Sequence, residues 1–242
     1  MDGRSLTIDA GAAALEADLC LPPSPRGLVV FVHGSGSSRL SPRNQAVASR
    51  LQRAALATVL FDLLTPAEAR QDQRDQSLRF RHDLGVARLQ ASLAWLQSLP
   101  ELAALGPVGL FGASSGAAAA LEVAATQPGR VGAVVSRGGR PDLAGEALER
   151  VQAATLLIVG GRDLGVLRMN RQAMQRLHCP HRLEVVAGAG HLFDEAGSLE
   201  VVGLLAQEWF LSHLQPAPGR AGGPATRQVQ GRPDVRLRSA RA

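Results

Sequence analysis

Two rhythms of hydrophobic positions alternate along this chain. Short unbroken apolar runs end in glycine-rich turns, and between them lie longer stretches with apolar residues three or four apart. The run at residues 27–32 (G-L-V-V-F-V) has no polar alternation, as a parallel strand covered on both faces requires. Runs at 58–63, 108–111, 131–135, 155–160 and 183–186 predict further strands. Helical spacing is expected from Pro42 to about Ala55, with Ser41 as N-cap, proline at the first helical position, and Ala46, Val47 and Leu51 inward. It returns through Leu84, Leu89, Leu93, Leu96 and Leu99 before Pro100, then over 115–126, 142–151 and 166–177. A last amphipathic helix over 198–214 carries Val201, Leu204, Leu205, Trp209 and Phe210. Near the start, residues 6–8 and 14–21 flank Ala10-Gly11 and predict an antiparallel hairpin. Residues 65–79 are polar, charged and without clear period, which predicts a mobile loop or flap. Strands alternating with helices give an α/β class, a mostly parallel doubly wound sheet with an N-terminal antiparallel hairpin.

Composition narrows this picture. A chain of 242 residues that is 45% hydrophobic fits one domain, placed at residues 1–215. With no tyrosine and 3% aromatics, the core must be built from Leu, Val and Ala. Every basic residue is arginine. The formal charge of +5 invites a nucleic-acid reading, but six arginines and one aspartate lie in residues 216–242, which leaves the rest near neutral. That Arg/Gly/Pro-rich tail has no apolar period and reads as a disordered extension rather than a nucleic-acid-binding element. Cys20 and Cys179 lack disulfide-framework or zinc spacing, and no metal site is expected. There is neither a leader-like apolar segment at the start nor a membrane-length run, so the expectation is a cytoplasmic protein without membrane contact. The oligomeric state, monomer or homodimer, is left open by the sequence.

The chemistry gathers at predicted strand ends, where sites form in such sheets. Gly112-Ala113-Ser114-Ser115-Gly116 passes from a strand straight into a helix, the form of a nucleophile elbow. Asp163 follows the strand at 155–160, and His191 follows the strand at 183–186. The order Ser, Asp, His has gaps of 49 and 28 residues. A serine hydroxyl needs an adjacent base; histidine can supply it, and an aspartate behind the ring fixes its tautomer. An oxyanion needs backbone donors: Ser115 N–H at the helix start, and one from Gly34-Ser35, with Ser35 the first choice. Gly36 and Arg137 are further candidates for substrate contact, Arg137 toward a carboxylate; a structural bond from Arg137 to loop carbonyls is an equal reading. Asp163 could instead serve only as a helix cap. Asp62 reads as a loop-bonding residue, Asp194 and Glu195 as turn caps, and His33 as a loop hydrogen-bonder.

The segments HGSGSS (33–38) leading into Ser41-Pro42-Arg43-Asn44, FDLLT (61–65), GASSG (112–116), SRGGRPDL (136–143), GGRD (160–163) and GAGHLF (188–193) carry a resemblance. By these the chain resembles the α/β-hydrolase superfamily, and within it the dienelactone hydrolase-like family, over roughly residues 5–214. The resemblance implies a hydrolase of small esters or lactones with no metal or organic cofactor, with Ser114, Asp163 and His191 in the triad roles. Dienelactone hydrolases carry cysteine as nucleophile. This chain has serine there, which favours a carboxylesterase acting on a small-molecule ester. The short span between residues 137 and 154 has no room for an inserted helical cap, so an open, shallow site for short acyl groups is expected. Acyl transfer or thioester cleavage shares the same intermediate. A catalytically silent ligand-binding or scaffold protein is the alternative from another class.

Overall fold

The computed structural model describes residues 2–214; the tail at 216–242 lies outside the described residues. Strands β1 (Asp2–Asp9) and β2 (Ala14–Leu21) pair antiparallel around the Gly11 turn, and β2 pairs antiparallel with β4 (Ala57–Phe61). The remaining pairings, through β3 (Leu28–Val32), β5 (Val108–Ala113), β6 (Val131–Arg137), β7 (Ala154–Gly160) and β8 (His181–Val186), are all parallel. The order in this eight-stranded sheet is β1-β2-β4-β3-β5-β6-β7-β8. The architecture is an α/β-hydrolase fold.

Strands β3, β4, β5 and β7 are buried at every position because helices cover both faces. On one face α1 (Pro42–Arg53) and α7 (Ser198–His213) pack Val47, Leu51, Val202 and Phe210 against Val29, Phe31, Phe111 and Val135. On the other, α3 (His82–Ser98) and α5 (Ser115–Thr126) pack Leu89, Leu93 and a run of alanines against Val30, Leu110 and Val134. α6 (Leu164–Met174) closes the β7 side, and α4 (Pro100–Ala103) is a single turn before β5.

Two inward faces differ from the pattern read in the sequence. Ala46 is exposed, and Ala48 takes the inner place on α1. On α7, Val201 and Leu204 face outward while Val202, Ala206, Trp209 and Phe210 are buried. The apolar residues of α7 surround the helix, so the sequence alone does not choose between adjacent stripes.

Two segments differ in kind. Residues 65–79, expected as a loop, contain α2 (Pro66–Asp75), opened by a capping box in which Thr65 and Glu68 bond each other's backbone N–H. Its polarity reflects exposure, not lack of structure. The buried Asp72 accepts from the N–H groups of Leu78 and Arg79, each at 2.8 Å, folding the chain after α2 back on the helix. The span 141–150 is a 3-10 segment (Pro141–Arg150) broken at Gly145, where φ is 52°, rather than an α-helix.

Chain order positions the site. After β3 the chain crosses to β4 on one side, then returns past β3 to β5 on the other. The carboxyl ends of β3 and β5 are thus neighbours, with Val32 opposite Gly112, at the point where the winding reverses.

Candidate active site

Ser114 stands between β5 and α5 with φ 51° and ψ −123°, a conformation that non-glycine residues rarely adopt. Close approach on both sides explains the flanking glycines. A Cβ on Gly112 would strike the Ala117 backbone, and one on Gly116 would strike the Val32 carbonyl and come 2.5 Å from that of His33. The elbow is also held from β6: Ser114 N–H donates to the Arg137 carbonyl and Arg140 N–H to the Ser114 carbonyl, both at 3.1 Å. The Ser114 hydroxyl has no hydrogen bond to another residue among the described residues.

Asp163 and His191 come together. His191 Nδ1 lies 2.6 Å from Asp163 Oδ2. With the carboxylate as acceptor, Nδ1 carries the hydrogen and Nε2 is left with a free lone pair. The other Asp163 oxygen accepts from Val166 N–H at the start of α6, at 3.4 Å. Helix cap and histidine partner are therefore one residue, each role taking one oxygen. The histidine loop is secured on three sides. Gly190 N–H donates to Glu195, which pairs with Arg162, and Arg162 N–H donates to the Ala189 carbonyl at 2.9 Å. Phe193, 1% exposed at φ 58°, is driven into the core two residues after His191. A Cβ on Gly138, the residue after Arg137, would lie 3.5 Å from two atoms of the His191 ring. Since the Arg137 carbonyl bonds Ser114 N–H, the ring and the elbow both lie at the end of β6, with no hydrogen bond between Ser114 and His191 among the described residues. Glu195 caps the turn around His191 as expected of it, by accepting from Gly190 N–H. Gly138 and Phe193 escaped the sequence reading as supports of the site; the motifs SRGGRPDL and GAGHLF contain them, but no spacing rule assigns them that part.

Gly34 passes against the elbow, where an added Cβ would lie 3.0 Å from Ser114 Cβ. Ser35 is also brought to the elbow, but its N–H donates to Ser115 Oγ at 2.9 Å, and the two hydroxyls are 2.8 Å apart. The donor expected to face an oxyanion is thus occupied by the Ser115 side chain. His33 is buried and pins this loop: Leu63 N–H donates to its Nε2 at 3.0 Å, so its Nδ1–H donates to the Gly34 carbonyl at 2.9 Å. Burial, the largest influence, pushes the imidazole below the ordinary histidine value, against the Gly34 bond and the nearby Asp62. Asp62 takes Arg39 N–H and its guanidinium, the loop bond expected of it.

Arg137 is 7% exposed, with Nε and Nη1 unbonded among the described residues. Burial pushes it down to about 10, Arg43 adding to the fall and Asp194 opposing it. It shares the sheet face of Val135, two residues before it on β6, with Arg43 of α1 and Asp194 close enough to act on its charge, and does not line the adjoining cavity. Asp194 pairs with Arg43 at 3.1 Å.

That cavity measures about 440 Å³ and opens beside the elbow on the oxyanion-loop side. Ser35, Gly36, Ser115 and Ala119 form its floor, and α2 with residues 78–85 its roof. Arg79 Nη1 reaches to 3.4 Å from the place a Gly36 Cβ would occupy, while its Nε bonds the Asp72 carboxylate. The flap expected over residues 65–79 is an ordered, mostly exposed helix whose Ala69, Asp72 and Gln73 cover this cavity; Ser114, Asp163 and His191 are not among the cavity's lining residues, and His191 is exposed. Among the described residues no group of three or more His, Cys, Asp or Glu is arranged to hold a metal ion, and no helix is long and apolar enough to cross a membrane.

The family model described as "Dienelactone hydrolase family" matches residues 15–203. The chain belongs to the dienelactone hydrolase family. A dienelactone hydrolase from Anabaena variabilis ATCC 29413 is 48% identical, with a TM-score of 0.87 over 88% of this chain and 99% of that one. Est1E from Butyrivibrio proteoclasticus, 15% identical with a TM-score of 0.72 over 86% of this chain and 98% of that one, shares the fold. A protein of Mycobacterium tuberculosis H37Rv named "Putative phosphoribosyl transferase" is 52% identical over 219 residues, 90% of this chain but 48% of its own length. The chain thus spans about half the length of that curated relative.

Proposed function

We propose that this chain is a serine hydrolase that cleaves small carboxylic esters through an acyl-enzyme on Ser114. The observation that carries this reading is the 2.6 Å bond between Asp163 and His191, on a loop whose ring packs against the strand end that holds the strained Ser114. His191 Nε2 takes the Ser114 proton as Oγ attacks the ester carbonyl, and returns it to the leaving alcohol. Asp163 holds the tautomer and stabilises the imidazolium without taking the proton. Water then attacks the acyl-enzyme by the same steps in reverse order. Ser115 N–H, at the first position of α5, is one oxyanion donor. Ser35 N–H serves as the second when the carbonyl oxygen displaces the Ser115 hydroxyl from it.

The cavity under α2 receives the acyl group. Leu63, Leu78, Leu84 and Leu143 line it, so an apolar acyl chain of medium length fits better than acetate alone. Lactones and thioesters suit the same machinery. Phosphoribosyl transfer, named for relatives about twice as long, is a displacement at a sugar carbon in which the elbow has no part. A panel of esters and thioesters graded in acyl length, run on the wild type and Ser114→Ala together, tests the proposal. Turnover in the wild type that vanishes in Ser114→Ala is expected; turnover persisting in the variant would remove Ser114 as nucleophile.

A further inference from the structure

The histidine of a second histidine–carboxylate pair lines the cavity. His82, the first residue of α3, lines it, and its Nε2 lies 2.7 Å from Glu122 Oε2 on α5. Glu122 itself is not part of the lining and stands behind the ring. With the carboxylate accepting from Nε2–H, the neutral ring keeps a lone pair on Nδ1. Nδ1 has no hydrogen-bond partner among the described residues. Ser115, Ala119 and Glu122 follow one another along the same side of α5, Ser115 and Ala119 on the cavity floor. At the helical rise of about 1.5 Å per residue, Glu122 stands roughly 10 Å beyond the elbow. The cavity lining is more apolar than polar, with Leu63, Leu78, Leu84 and Ala119 among it beside Arg79 and Arg81.

Resting on the acyl-enzyme reading above, we propose that His82 reads a hydroxyl at the far end of the acyl group. The preferred substrates are esters whose acyl part is apolar along its length and ends in an alcohol or phenol that donates to Nδ1. A 4-hydroxycinnamoyl group has the reach, about 8 Å from carbonyl carbon to phenolic oxygen by ordinary bond lengths. An acyl group lacking the hydroxyl offers Nδ1 no donor of its own. The His82 side chain is 30% exposed, so water can still reach it and the discrimination is moderate, about tenfold. Glu122 positions the ring by fixing its tautomer and does not touch the substrate.

Binding of methyl 4-hydroxycinnamate, methyl 4-methoxycinnamate and methyl cinnamate to Ser114→Ala protein tests this without turnover. The hydroxy ester should bind about tenfold more tightly than the other two, because the methoxy oxygen can accept but not donate. With His82→Phe added, the three affinities should converge. Equal binding of the hydroxy and methoxy esters, no saturable binding of the hydroxy ester, or a preference that survives His82→Phe would overturn the proposal. The comparison of hydroxy with methoxy ester needs no second substitution, so it decides even if His82→Phe fails to fold. Failure of the acyl-enzyme reading would show elsewhere, as wild-type Ser114 that does not acylate, and leaves these affinity ratios readable.

Discussion

The elbow makes a prediction about stability that runs against its part in activity. Ser114 holds φ 51° and ψ −123°, where a Cβ crowds the backbone. Such a conformation costs a non-glycine residue about 1–3 kcal/mol. Ser114→Ala and Ser114→Gly both remove the hydroxyl, but only glycine removes the Cβ. Against the relief stand about 0.4–1 kcal/mol for the greater freedom of unfolded glycine and less than about 0.8 kcal/mol for one partly exposed carbon. Mid-range values leave Ser114→Gly more stable than Ser114→Ala by about 1 kcal/mol, a rise in Tm of roughly 2–4 °C for a domain of this size. Urea unfolding and calorimetry of the two inactive variants measure the difference directly. A glycine variant less stable than the alanine variant would mean that the turn stores no strain, and the account of the elbow would fall.

Asp163→Asn keeps a capping oxygen for Val166 N–H but takes the charge from His191, so kcat should fall by about 10³–10⁴ while stability changes by less than about 1 kcal/mol; a kinetic assay with urea unfolding checks both. Ser115→Ala frees the Ser35 N–H, and turnover within about tenfold of the wild type is expected; its abolition would make Ser115 the nucleophile or an essential donor. His33 is held below its ordinary value of 6.5, so the unfolded chain binds more protons as pH falls past that value. Its contribution is complete above about pH 6.5 and is lost as pH falls from there through the folded-state value. Urea midpoints measured between about pH 7.5 and 5 should show this part of the decline in the wild type and not in His33→Gln.

Much of the fold was legible because its signals are local. The apolar run of β3 read as a strand covered on both faces and those of β5 and β7 as further strands, and Ser41-Pro42 capped α1 as expected, Ser41 Oγ accepting from Asn44 N–H at 3.4 Å. The Ser114, Asp163 and His191 positions were marked by strand ends, and the structure brings Asp163 and His191 within bonding distance. What escaped depends on tertiary context. α2 was missed although Thr65-Pro66-Ala67-Glu68 spells a capping box, because its one buried side chain, Asp72, is charged. The cavity could not be inferred once that roof was read as a mobile loop. The Ser115 hydroxyl on Ser35 N–H depends on how the ends of two parallel strands align, which no spacing along the chain encodes.

The most direct measurement is intact-protein mass spectrometry after reaction with a fluorophosphonate, followed by mapping of the adduct. The account predicts one adduct on Ser114, absent from Ser114→Ala and formed much more slowly in Asp163→Asn. Folded protein that stays unmodified, or an adduct on Ser115 or elsewhere, would contradict it.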